Sequence, residues 1–157
     1  MSIAVRRATK DDAEKVAEYA MKLVEQHQLY DRLRFARIAT LDGMKWFYGG
    51  QTEAKDAVVL VAELEARVVG FAYVAYEETN YAELAVKAAH LHDIYVEENA
   101  RRSSAGQKLI EAAVAAAREF GATKLMLSVA AKNATAQSFF EHAGFEMTMH
   151  EMMLGLG

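Results

Sequence analysis

One short segment limits the folds open to this chain. Arg101-Arg102-Ser103-Ser104-Ala105-Gly106-Gln107 joins two stretches of different periodicity. Before it, Leu91-His92-Asp93-Ile94-Tyr95-Val96 is apolar and β-rich, as a strand is. After it, apolar residues from Leu109 to Phe120 recur at helical spacing. A strand, a loop of small residues flanked by arginines, and a helix start form a site able to hold a diphosphate. Small side chains let the backbone approach an anion, and the first helical amides have no intrahelical partner. The helix dipole adds partial positive charge there, and arginine forks onto phosphate oxygens. The plain alternative is an ordinary strand-to-helix turn with a serine cap.

The rest of the C-terminal half narrows the choice. Gly121 ends the helical pattern, and Lys124-Leu-Met-Leu-Ser-Val129 reads as a second strand. Asn133-Ala-Thr-Ala136 opens a short helix, and Ala143-Gly144-Phe145 precedes an expected final strand. In this order, Arg-x-x-Ser-x-Gly followed by Asn-x-x-Ala and Gly-Phe resembles the GNAT superfamily of acetyl-CoA-dependent N-acetyltransferases. The phrase His92-Asp93-Ile94-Tyr95-Val96 also resembles the corresponding strand of the diamine-acetyltransferase branch.

Toward the N-terminus, Ile3–Ala8 alternates weakly as a strand, and Thr9 with Asp12 forms a capping-box pattern. A helix is expected from about Lys10 to His27. Tyr30 to Tyr48 again shows helical spacing, with Gly43 and Gly49-Gly50 as its expected breaks. Ala57–Glu63 and Val68–Glu77 read as strands joined by a hairpin turn, while Tyr81–Ala88 is ambiguous. The expected fold class is therefore a mixed α/β sheet of order β-α-α-β-β-β-α-β-α-β. The resemblance adds central strands that splay apart, within a single domain spanning residues 1–157.

Bulk properties exclude other classes. A net charge of −4 argues against a nucleic-acid binder and against binding to an anionic membrane surface. The absence of cysteine excludes disulfides, thiolate metal sites and a cysteine nucleophile. No apolar run reaches membrane-span length and no signal-peptide pattern opens the chain, so a cytoplasmic location is expected. No cofactor metal is expected.

The resemblance implies a site. Acetyl-CoA is the expected cosubstrate, its pantetheine arm bonding the backbone at Ile94, Tyr95 and Val96 and its diphosphate resting on residues Arg101 through Gln107. Asn133 and Ala136 are expected near the pantetheine, with Phe139 and Phe140 at the thioester end. Ser104 replaces the family's usual loop glycine and is strained if the backbone there needs positive φ. Arg102 is either a second phosphate contact or a surface charge.

Phe140 stands where the family usually carries a tyrosine that protonates the departing thiolate, and phenylalanine donates no proton. For the attacking amine, His92 and His90 are the candidate bases, since an imidazole titrates near neutrality. Asp93 is a candidate for binding a cationic acceptor or orienting the loop. Strand alternation puts His90, His92, Ile94 and Val96 on one face, and Leu91, Asp93 and Tyr95 on the other.

The expected partner is a small primary amine. Glu77, Glu78 and Asp93 favour a polycation, whereas Arg32, Arg34 and Arg37 favour an amine bearing a carboxylate. The alternatives are an acetyl-CoA-binding regulator without activity, or a peptide N-acetyltransferase. The terminal strand carries Met147, Met149, Met152 and Met153, and a homodimer through it is expected from the resemblance.

Overall fold

The computed structural model describes residues 2–157. Five strands form one sheet in chain order: β1 (Ile3–Arg7), β2 (Ala57–Leu64), β3 (Arg67–Asn80), β4 (Ala85–Val96) and β5 (Lys124–Met126). The first four are antiparallel neighbours, and β5 runs parallel to β4. Helices α1 (Ala13–Tyr30) and α2 (Leu41–Gln51) cover one face. Helix α3 (Ala105–Glu119) covers the other, and α4 (Ala134–His142) packs beside it through Phe140. No helix among the described residues is long and apolar enough to cross a membrane.

The sheet separates two cores. Val58, Leu60, Val74 and Leu91 of the sheet pack with Leu109 and Ile110 of α3. Against α1 and α2 lie Val59, Val61, Phe71 and Tyr73 with Val16, Tyr19 and Tyr48. The alternation of β2 produces this division directly, since Val58 and Leu60 face one way and Val59 and Val61 the other.

Local sequence explains most element ends. Asp12 accepts a hydrogen bond from the Thr9 amide at 2.8 Å, which anchors the single 3₁₀ turn (Lys10–Asp12) before α1. The same carboxylate pairs with Arg6 at 2.8 and 3.0 Å, so β1 is tied to the helix entry. The β2–β3 hairpin turns on Glu65 and Ala66, both at positive φ (52° and 62°), as a tight two-residue turn between right-twisted strands requires.

Four expectations are corrected. The helical spacing of Tyr30–Tyr48 is not one helix: residues 31–40 form an irregular connection, and α2 starts only at Leu41, where the Thr40 hydroxyl caps the Gly43 amide at 3.0 Å. Gly49 and Gly50 lie inside α2 rather than ending it, since the helix continues to Gln51. The second C-terminal strand is shorter than Lys124–Val129. The final methionine-rich strand does not form on this chain's own sheet, and residues 145–157 are irregular.

Candidate functional site

The parallel pairing of β4 with β5 covers only Ala88 to His90 opposite Lys124 to Met126. Strand β4 runs on to Val96, bonded on its other side to β3 as far as Gly70. The edge of β4 from Leu91 to Val96 that faces β5 is thus open, and the expected splay is present. Apart from the Val96 carbonyl, which accepts from Arg101 Nε, its peptide groups are available to an extended ligand that adds to the edge like a strand. Gly70 permits the close approach of β3 here, because a Cβ at that position would lie 2.6 Å from the Tyr95 carbonyl oxygen.

Beyond the open edge the chain turns through residues 97–104 into α3. Ser103 braces this turn, its amide donating to the Ala100 carbonyl at 3.1 Å and its hydroxyl accepting from the Ala105 amide at 3.2 Å. The Lys108 amide donates to the Ser104 carbonyl at 2.9 Å and closes the first helical turn. Among the described residues the amides of Arg102, Ser104, Gly106 and Gln107 find no protein acceptor, so four donors gather at the head of the helix. Ser104 has φ −83°, so the strain anticipated for a non-glycine residue is absent.

Arg101 is already committed. Its Nε donates to the Val96 carbonyl at 2.9 Å, and its guanidinium lies 5.5 Å from the centre of the Tyr95 ring. Arg102 is exposed and makes no side-chain bond among the described residues. Gly106 sits under Phe139, and a Cβ there would come 3.2 Å from that ring. Phe139 thereby joins α4 to the loop.

Asn133 caps α4, its Oδ1 accepting from the Ala136 amide at 3.1 Å, which leaves its amide nitrogen free to donate. Ala136 is half-buried against the α3-side core. Phe140 is buried in that core, with its ring edge-on to Phe145 at 5.7 Å.

The face assignment along β4 is corrected by a bulge. Register shifts between Tyr73 and Val74, so Tyr73 pairs with Asp93 and Val74 with Leu91, leaving His92 as the extra residue. Leu91, Ile94 and Val96 pack toward α3, and Tyr95 packs toward α1 with its ring 5.1 Å from Tyr19. The one-residue insertion interrupts strict alternation, so His90, His92 and Asp93 all face α1 and α2. Their aromatic surroundings confirm this: the His92 ring stacks on Tyr73 at 5.6 Å and on His90 at 5.6 Å. Composition gave no sign of the bulge, because a single inserted residue has no propensity signature.

Asp93 accepts a hydrogen bond from the buried Tyr48 hydroxyl at 2.6 Å. Burial pushes the Asp93 carboxyl above the usual carboxylate range, and it outweighs the Tyr48 bond and the nearby His92 and His27, which pull the other way. Burial beside Asp93 pushes the Tyr48 phenol up. Desolvation lowers the His92 imidazole below 6.5, and neighbouring His90 adds to that, so His92 is neutral at pH 7. The Nδ1 of His90 is buried with no partner among the described residues. Tyr48 and Tyr73 are the residues the sequence reading missed. Tyr48 stood only as the end of a helical segment and Tyr73 lay unremarked inside the Val68–Glu77 strand, and only the packing of α2 across β3 and β4 brings them to the histidines.

An apolar cleft of about 430 Å³ leads to Tyr48, lined by Ile38, Met44 and Phe47 among others. No group of three or more His, Asp or Glu residues suited to a metal occurs among the described residues.

Comparisons with known proteins agree with this geometry. Residues 14–145 match the model of the Acetyltransferase (GNAT) family. The Bacillus subtilis protein YhfO, described as an N-acetyltransferase, is 28% identical over 143 residues, covering 90% of this chain and 89% of its own. A tetramutant of the BH1408 protein from Bacillus halodurans superimposes with a TM-score of 0.83 at 19% identity, over 98% of this chain and 99% of that one. Aminoglycoside N-acetyltransferase AAC(6')-Iy, bound to a bisubstrate analogue, has a TM-score of 0.81 at 15% identity, over 99% of this chain and 98% of its own. This chain belongs to the acetyltransferase (GNAT) family and is an acetyl-CoA-dependent N-acyltransferase.

Proposed function

We propose that the protein acetylates a primary amine of a small molecule, with His92 as the base. The observation that carries this reading is the bulge that puts His92, His90 and Asp93 on one face. In this reading acetyl-CoA lies along the open edge of β4, with its diphosphate on the free amides from Arg102 to Gln107 and on Arg101. The amine arrives from the α1–α2 side as an ammonium, which carries no lone pair.

Neutral His92 takes one proton from it. The nitrogen attacks the thioester carbonyl, a C–N bond forms, and collapse of the tetrahedral adduct breaks the C–S bond. The nitrogen then loses its second proton, and the thiolate acquires one from water. Asp93, held by Tyr48, orients the incoming ammonium beside His92.

The charge around the site supports a cationic acceptor. Glu77 lies near enough to act on His92, and Asp93 lies beside it. The opposing arginine cluster is largely engaged elsewhere: Arg34 pairs with Glu151, and Arg37 approaches Glu25 at 3.9 Å. These pairs argue against an amine selected by its own carboxylate. The aminoglycoside enzymes sharing the fold take cationic small molecules, which agrees with this reading although their identity to this chain is low.

The burial of Phe140 favours a second reading, an acetyl-CoA-binding protein without turnover. Free-thiol release from acetyl-CoA, measured with polyamines, aminoglycosides, basic amino acids and short peptides, separates the two. Release with one cationic class supports the enzyme. Binding of acetyl-CoA without release for any amine supports the regulator, and release only with peptides contradicts the small acceptor.

A further inference from the structure

The cleft that leads to Tyr48 has a lining that proton transfer at His92 does not require. It arises where residues 31–40 leave the helical path and α2 starts afresh at Leu41. Met44, Phe47 and Tyr48 recur at helical spacing, so one face of α2 lines the cleft, and Ile38 and Ala39 of the connection complete it. Among the described residues no charged side chain contributes to this lining. Its two hydroxyls are engaged: the Thr40 oxygen accepts from the Gly43 amide at 3.0 Å, and the Tyr48 hydroxyl donates to Asp93 at 2.6 Å.

The cleft is continuous with the candidate base. The Phe47 ring stands edge-on to Tyr48 at 5.2 Å and to Tyr73 at 5.6 Å, and Tyr73 stacks on His92 at 5.6 Å. A molecule whose nitrogen meets His92 and Asp93 can therefore lay the rest of its body against Phe47, Met44 and Ile38. Ile38 is 88% exposed and Phe47 39%, so apolar surface stands bare along this path. A cleft of about 430 Å³ with such a lining and polar groups at one end has the character of a small-molecule site.

We propose that the acceptor carries a single ammonium on an apolar body, and that the body lies in this cleft. The inference rests on the amine acetylation proposed above and narrows its acceptor. Asp93 serves one ammonium. A second one, carried into the cleft, would lose its hydration with no carboxylate to replace it. Methylene or ring carbons placed there gain by leaving water. The flexible Met44 side chain lets the lining follow a linear or a ring-shaped body. Among cationic amines, those with several ammonium groups are thus disfavoured.

The test compares butylamine, hexylamine and octylamine with cadaverine, the isostere of hexylamine in which an ammonium replaces the terminal methyl. Thiol release from acetyl-CoA gives kcat/KM for each, and calorimetry gives the affinity of each for the CoA-bound protein. From butylamine to hexylamine, kcat/KM should rise about fourfold per methylene. Hexylamine should exceed cadaverine by about tenfold or more in both measurements. Ile38→Glu puts a carboxylate at an exposed position of the lining, where the fold is not at stake, and should narrow that gap.

Cadaverine equal to or better than hexylamine would overturn the inference and leave the enzyme reading standing. So would an unchanged gap in Ile38→Glu, which would place the apolar body elsewhere. If no amine releases thiol, the calorimetry decides. Tighter binding of hexylamine than of cadaverine would uphold the apolar cleft and remove the enzyme reading, whereas binding of neither would overturn both.

Discussion

The two faces of β4 are built from adjacent residues and serve different ends. Leu91, Ile94 and Val96 meet α3 in a purely apolar layer, where Leu109 is fully buried. One residue along, His90, His92 and Asp93 meet α1 and α2 through Tyr48 and Tyr73. Packing on the first face fixes the strand so that the second can hold polar groups in place. The bulge at His92 couples them, since it lets apolar residues keep the α3 face on both sides while two consecutive polar residues share the other.

This comparison predicts separable losses. On the α3 face, Leu109→Ala is expected to cost about 2–5 kcal/mol of stability by leaving a cavity in a packed core. Urea unfolding should show the shift in midpoint, and folded enzyme should retain its turnover per molecule. On the opposite face, His92→Gln should lower kcat/KM for the amine by about 10²–10⁴ while the unfolding midpoint moves little. Comparable stability losses for both changes would erase the distinction between the faces.

Tyr48→Phe lies between these extremes. It removes the hydroxyl that donates to Asp93 at 2.6 Å and leaves a buried acceptor short of a partner, a cost of about 1–3 kcal/mol. It should also raise KM for the amine more than it lowers kcat, if Asp93 orients the acceptor.

The carboxyl groups sharpen the contrast through pH. Asp93 has a raised folded pKa, so its contribution favours the folded state at low pH and is lost as pH rises through that raised value. Asp12 has a lowered pKa, chiefly through Arg6, so its contribution is present above the ordinary carboxylate range and is lost as pH falls through the lowered value. Asp93→Asn should therefore gain stability relative to wild type as pH rises from about 4 toward neutrality. Asp12→Asn should lose its disadvantage at low pH. Thermal melts across that range check both signs.

The smallest effect expected is on the cosubstrate loop. Arg101→Ala should raise KM for acetyl-CoA several-fold more than Arg102→Ala, because Arg101 is fixed by the Val96 carbonyl and the Tyr95 ring, whereas Arg102 is exposed. Equal effects would mean that both act only as diffuse positive charge.

Much of this was legible in the sequence because it is local. The strand, the loop from Arg101 to Gln107 and the start of α3 follow from periodicity and small side chains, and Thr9–Asp12 marked the first helix. Residues 31–40 were not legible, since Leu33 and Ile38 keep helical spacing while the backbone departs from it. The role of Tyr48 is a contact between residues 45 positions apart, which no local pattern encodes. The tail after Ala143-Gly144-Phe145 was expected as a final strand from the element order of the family the chain resembles. The structure pairs it with no strand among the described residues, because forming a strand requires an edge to pair with as well as a suitable sequence.

The most direct test of the central claim is the pH dependence of thiol release from acetyl-CoA with the preferred amine, for wild type and for His92→Gln, with acetyl-CoA binding measured on both. His92 is held neutral by desolvation and by His90, so the acidic limb of wild-type kcat/KM should fall below pH 6.5. In the variant that limb should vanish along with most of the rate, while acetyl-CoA binds as before. Full activity in His92→Gln with the same acidic limb would contradict the account and place the base elsewhere.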